Sequence, residues 1–186
     1  PIRSPAPDHR DPRGDPVRFE ISQDFRHERR AVDEAYADPA LYPTLVGLPN
    51  LGGMEVRSAE RDGDTVRLKI HTLFVREFSP AVAAAIDPSK LSWTQDSTFD
   101  LAAGTATFRF LPDNYADRFS AEGRTRTEAK GDGAVRTLSG EVKVRAPLVG
   151  GRVEKAIIEG LEEYLAAEAA LVDAFIDGSS ARADAS

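Results

Sequence analysis

A chain of 186 residues, 41% of them hydrophobic, is long enough to bury one sizeable core and short for two. A formal net charge of −7 without a concentrated Lys/Arg patch argues against nucleic-acid or acidic-membrane partners, because phosphate binding needs a positive footprint. The absence of cysteine excludes disulfides, thiolate metal sites and cysteine nucleophiles. No apolar run approaches the roughly 20 residues that cross a bilayer, and the Pro-rich, charged start lacks the apolar middle of a secretory signal. The expectation is a soluble cytoplasmic protein with no stable membrane insertion.

Residues 1–16 carry five prolines among Asp, Arg and Gly, a composition that can neither bury surface nor sustain a sheet ladder, and read as a disordered tail. The folded unit is expected over residues 17–177, and residues 178–186, which follow Gly178 and are small and polar, as a second disordered tail. Val17, Phe19, Ile21, Gln23 and Phe25 alternate with Arg18, Glu20, Ser22 and Asp24, the two-residue period of a strand with one buried face. His27 to Tyr36 reads as a helix with Ala31, Val32 and Ala35 together, and Asp38-Pro39 starts a second near Ala40 to Val46. Gly47 to Gly53 is a loop.

Met54–Arg61 and Thr65–Phe74 flank Asp62-Gly63, a strong hairpin signal because these residues tolerate positive φ. Beyond Ser79-Pro80 and a short Ala-rich helical piece, Leu91–Leu101 and Thr105–Leu111 flank Ala103-Gly104, and Phe119–Ala129 and Val135–Ala146 flank Asp132-Gly133. The result is a run of about six antiparallel strands after the first, with sequential neighbours pairing. From about Val149 to Ile176 there is no proline, and Val153, Ile157, Leu161, Tyr164, Glu168 and Leu171 recur at three- and four-residue steps. Lys155, Glu159, Glu162, Glu163 and Asp173 fall on the opposite side, so a helix of about 40 Å lies across the sheet with one stripe inward.

This α+β order, a strand, two helices, six strands and a long helix, resembles the helix-grip fold of the START and birch-pollen-allergen superfamily, also called the polyketide cyclase/dehydrase and lipid transport superfamily. Locally, Leu91-Ser-Trp-Thr-Gln-Asp-Ser-Thr-Phe99, the run from Ala146 to Ile157 and the Leu48-Pro-Asn50 loop are similar to an actinobacterial family, domain-of-unknown-function family 2505. The resemblance implies a curved sheet of about seven strands wrapped around the C-terminal helix. It also implies an apolar cavity between them, used in different members for lipid or sterol carriage, hormone sensing, ring cyclisation or co-chaperone binding. It brings no catalytic residues to this chain.

The residues expected to line such a chamber come from two elements above all. Glu168 stands in the apolar stripe of the last helix beside Leu161 and Tyr164, where a carboxylate is costly unless paired, hydrated or protonated. It could anchor a ligand hydroxyl or amine or act as a general acid or base; the plainer reading is a contact with Arg or solvent near an open end. Gln95 and Ser97 interrupt the apolar row of Leu91, Trp93 and Phe99, and a few polar groups in an apolar wall are what orients a small guest. They could equally bond each other, buried water or Thr72. Trp93 and Phe108 complete the wall, or are plain core. Tyr115 and Arg118 fall on a loop at the mouth.

The three histidines show no metal-ligand spacing, and there is no Gly-x-Ser-x-Gly elbow, phosphate-cradling loop or dinucleotide fingerprint, so no metal or cofactor is implied. Three functions compete: carriage of an apolar small molecule or lipid, a cyclase/aromatase-type enzyme that holds a reactive chain with Glu168, Tyr164 or Gln95 moving protons, and a protein-interaction module with a filled chamber. The first requires the least of the residues present.

Overall fold

The computed structural model describes residues 15–75, 87–146 and 150–183. The Ala-rich piece expected after Ser79-Pro80 lies outside these. Seven strands, β1 (Val17–Phe25), β2 (Leu51–Asp62), β3 (Thr65–Phe74), β4 (Ser92–Asp100), β5 (Thr105–Pro112), β6 (Phe119–Lys130) and β7 (Gly133–Val144), form one curved antiparallel sheet. Its order is β1-β7-β6-β5-β4-β3-β2, so only the first strand pairs out of sequence, and the sheet remains open between β1 and β2. Two helices, α1 (Arg29–Ala37) and α2 (Gly150–Ala183), cover its inner face, α2 packing on β1, β7 and α1.

The strands form where the sequence alternates, and their register places one polarity inside. Phe19↔Gly140, Gly123↔Gly140, Phe108↔Gly123 and Ser97↔Phe108 lie in one row across the sheet. The two glycines in that row permit close approach: a Cβ on Gly123 would stand 2.7 Å from Phe108 Cζ, and one on Gly140 would stand 3.0 Å from Phe19 Cζ. The two rings lean over the glycine pair from either side.

Three local expectations are corrected. The tight turns centre on Gly63-Asp64 and Gly131-Asp132, one residue from Asp62-Gly63 on one side and from Asp132-Gly133 on the other. Asp62 pairs with Thr65 and Lys130 with Gly133, and Gly63 and Gly131 carry φ of 57° and 60°, the pattern of a turn with glycine first. The second helix expected at Ala40–Val46 is a single 3-10 turn, Tyr42–Thr44, since Pro43 in a helix interior would remove a hydrogen bond and clash with the preceding turn. The last helix does not stop at Gly178 but runs to Ala183. Gly178 does not adopt the left-handed conformation of a terminal cap; a helical glycine costs only about 1 kcal/mol against alanine, and Ser179 Oγ and Ser180 Oγ bond back to the Phe175 and Ile176 carbonyls.

Asp173 is a fourth correction. Lys155, Glu159, Glu162 and Glu163 are exposed as expected, but Asp173 is buried. Its carboxylate accepts the Arg26 backbone N–H at 3.2 Å and the Arg26 Nε–H at 3.1 Å, tying the β1–α1 turn to α2. About five helical turns towards the N-terminus of α2, Glu154 is likewise buried and accepts the Val144 N–H at 2.8 Å. The inward stripe is therefore wider than the apolar residues alone mark it.

Candidate functional site

The packing between the sheet and α2 differs at its two ends. At the end nearest α1, Leu68, Phe99, Leu101, Val32 and Val172 are buried in one contiguous cluster. At the other end the inner-face residues Val17, Phe19, Trp93, Phe108 and Phe110 are only half-buried, although they sit on the core side of their strands. Leu161 on α2 is half-buried as well, and Tyr164, also half-buried, packs against the buried cluster. Large aromatic side chains that keep solvent access on a sheet's concave face are less closely packed than the cluster at the α1 end.

The inner face of β4 and β5 is aromatic here. Trp93 stacks on Phe110 with centroids 5.5 Å apart and planes at 26°, and Phe110 lies 5.8 Å from Phe108. Gln95 follows on the same face, half-buried, and its Nε2 donates to Ser97 Oγ at 3.0 Å. Ser97 is fully buried and Thr72, opposite Trp93 in the ladder, is buried too. The plainer expectation for Gln95 and Ser97, that they bond each other, is what occurs, and among the described residues the Gln95 carbonyl oxygen and second N–H have no other partner.

The floor is polar. Glu168 is 4% exposed, and three donors converge on it: Tyr36 Oη–H at 2.7 Å and Gln23 Nε2–H at 3.2 Å on one oxygen, Tyr164 Oη–H at 2.6 Å on the other. Gln23 Nε2 also reaches the Leu165 carbonyl at 2.8 Å, and its Oε1 accepts Arg136 Nη1–H at 3.0 Å. The Arg136 guanidinium lies 3.9 Å over the Tyr36 ring, and Tyr42 Oη donates to the Tyr36 carbonyl at 2.6 Å. Burial, and after it the negative charge of Glu168, pushes the Tyr36 and Tyr164 phenols well above their ordinary range, so both remain donors. Burial raises Tyr42 likewise.

Glu168 thus meets neither Arg nor solvent directly, and the structure joins it to Tyr164 as helical spacing requires. Trp93 and Phe108 share the aromatic wall through Phe110, and Gln95 and Ser97 share a hydrogen bond; no bond links this wall to Glu168 among the described residues. Gln23, Tyr36, Arg136 and Phe110 were not singled out by sequence. The available signal was a Gln and an Arg on the inward parity of β1 and β7, where apolar residues belong.

On the outer face, His71 Nε2 and Ser92 Oγ both bond Asp113 Oδ2, the imidazole at 2.7 Å, and these bonds hold the Asp113 carboxyl below its ordinary range. Both groups end on the carboxylate, so the hydroxyl is not polarised by the imidazole as a serine nucleophile would be. Tyr115 adopts a left-handed φ of 60°, and its hydroxyl accepts the Asp87 N–H at 3.3 Å. Among the described residues no helix is long and apolar enough to cross a membrane, and no cluster of three His, Asp or Glu could hold a metal ion.

Residues 20–176 match the family described as "Protein of unknown function (DUF2505)". No curated protein matches the chain. Among solved structures, the protein TTHA0849 from Thermus thermophilus superposes with a TM-score of 0.64 at 16% identity, covering 88% of this chain and 99% of that one. The Zhui aromatase/cyclase from Streptomyces sp. R1128 gives 0.54 at 16% identity over 90% and 95% of the two chains. A START superfamily protein from Mycobacterium smegmatis gives 0.54 at 16% identity over 87% and 97%. At these identities the likeness is one of fold, the helix grip.

Proposed function

The chain belongs to the DUF2505 family, and we propose that it binds an apolar small molecule or lipid in the chamber between the β4–β5 wall and the N-terminal half of α2. The observation that carries this reading is the half-burial of Phe19, Trp93, Phe108, Phe110 and Leu161 on the core side of a sheet whose other end is dry. Burying apolar surface of this kind against a guest contributes roughly 25 cal/mol per Å² before the costs of association. Fold likeness to a START superfamily protein and an aromatase/cyclase supports a ligand-binding fold without fixing the ligand.

A cyclase-type activity needs a group free to move a proton. Glu168 is engaged by three donors and Tyr164 spends its proton on Glu168, which favours binding over turnover. The test is titration with the neutral dye Nile red. Saturable one-to-one binding with blue-shifted emission is expected, and its loss in Leu161→Trp, which fills the space from the helix side, with thermal stability retained. No saturable binding to the wild-type protein contradicts the proposal.

A further inference from the structure

The open sheet has two free edges, and they differ. β2 is interrupted by register shifts at Leu51/Met54 and Val56/Ser58, bulges of the kind that keep an edge strand from pairing with another chain. β1 pairs with β7 through all nine of its residues without a shift, and it contains no proline. A Cβ on Gly133 would meet the Phe25 carbonyl oxygen, which puts that carbonyl on the β7 side. Residues two apart share a side, so Val17, Phe19, Ile21, Gln23 and Phe25 spend their backbone groups on β7, while Arg18, Glu20, Ser22 and Asp24 turn theirs to the free edge. Among the described residues nothing bonds these edge groups.

Laid antiparallel against a second copy of itself about Ile21, this edge is self-complementary. Arg18 faces Asp24 and Glu20 faces Ser22, each in both directions, and each facing pair exchanges two backbone hydrogen bonds. The ladder also ends on its own terms: Pro16 has no N–H to offer, and it faces Arg26, whose N–H is spent on Asp173. Moving the axis by one residue sets Glu20 opposite either Glu20 or Asp24, like charges face to face. The charges already present fit the contact. Arg18 lies beside Glu141 in its own sheet and would stand between two acids, and Asp24 gives only Oδ1 to Lys130, which leaves Oδ2 for Arg18 of the second copy. On the inner face Ile21, half-buried although its neighbour Leu138 is buried, would meet its own copy.

We propose that β1 is a dimerisation edge: a second copy of this chain adds its β1 antiparallel about Ile21, so that the two seven-stranded sheets run into one. This holds whatever the chain binds.

The test is sedimentation equilibrium of the full chain at tens of micromolar. The wild type is expected at twice the 20.2 kDa chain mass. Arg18→Asp and Asp24→Arg each set like charges opposite one another at two symmetric positions, and each is expected to weaken self-association by about tenfold. An equimolar mixture of these two variants sets opposite charges at both positions and is expected to restore the dimer. Ser22→Pro removes an N–H that β7 does not use, and is expected to give a folded monomer. A monomeric wild type overturns the proposal, and so does a dimer that survives in folded Ser22→Pro. Charge variants that associate as the wild type does, or a mixture that gains nothing over its separate components, overturn the pairing about Ile21. If Ser22→Pro does not fold, the mixture decides.

Discussion

Tyr36→Phe removes a single oxygen from the buried polar floor and leaves its ring contacts in place. The phenyl ring keeps its edge-on packing against Phe25, with centroids 6.1 Å apart, and its place beneath the Arg136 guanidinium. What is lost is the 2.7 Å bond to Glu168 Oε2, which then retains only the longer 3.2 Å contact from Gln23 on that oxygen. Hydrogen bonds to charged groups are worth about 1.5–3 kcal/mol, and a carboxylate this buried has no water to replace the donor. The expected loss of unfolding free energy is about 1.5–3 kcal/mol, a fall in Tm of roughly 4–10 °C for a domain of this size. Urea unfolding followed by circular dichroism, with calorimetry alongside, measures it. In the Glu168→Gln background the same substitution is expected to cost less, because an amide gains less than a carboxylate from the phenol. A cost below about 0.5 kcal/mol, or the same cost in both backgrounds, refutes the claim that the phenol serves the carboxylate.

Two further outcomes follow from geometry elsewhere. Gly123→Ala sets a Cβ against the Ser139 carbonyl oxygen and 2.7 Å from Phe108 Cζ, and overpacking of this kind is expected to cost about 1–3 kcal/mol, whereas Gly53→Ala, with nothing within 4 Å, is expected to be nearly silent; equal unfolding midpoints for the two contradict the close approach at the glycine pair. For Asp33, burial raises the carboxyl above 3.8 despite its bonds to Thr127 and Arg29. A raised folded value means that the folded state holds the proton more tightly, so stability from this group falls as pH rises from about 3.8 to the raised value. Asp33→Asn is expected to leave stability at pH 7 unchanged or slightly higher and to flatten that fall, and a loss above about 1 kcal/mol at pH 7 would mean that the Arg29 pair outweighs burial.

How much of this was legible in sequence depends on how local the cause is. Glu168 and Tyr164 share an element, so a 3.6-residue period suffices to place them together. The alternation along β1 and β3 marked the core face for the same reason. The hairpins were visible but their turns slipped by one, because Asp-Gly-Asp and Lys-Gly-Asp-Gly admit either glycine placement. The choice is made by which residues must face the core, here Val66 opposite Phe99 and Leu138 opposite Thr125. Gln23 meets Arg136 across 113 residues and Glu168 across 145, and nothing in the local pattern of either strand announces such partners. Asp173 was misplaced because burial followed the Arg26 backbone N–H that it caps, a need that arises only when the β1–α1 turn lies against α2. The half-burial of the β4 and β5 aromatics depends on how far α2 stands from these strands, which side-chain volumes do not encode.

Trp93 is the single tryptophan of the chain and stands in the proposed wall, stacked on Phe110, so its emission reports on the chamber alone. The most direct measurement is energy transfer from Trp93 to Nile red during titration, with acrylamide quenching followed in the same samples. The account predicts saturable transfer at one dye per chain, with quenching of Trp93 by acrylamide falling as the dye enters. Dye binding that leaves both the emission and the quenching of Trp93 unchanged would place the guest elsewhere and contradict the account.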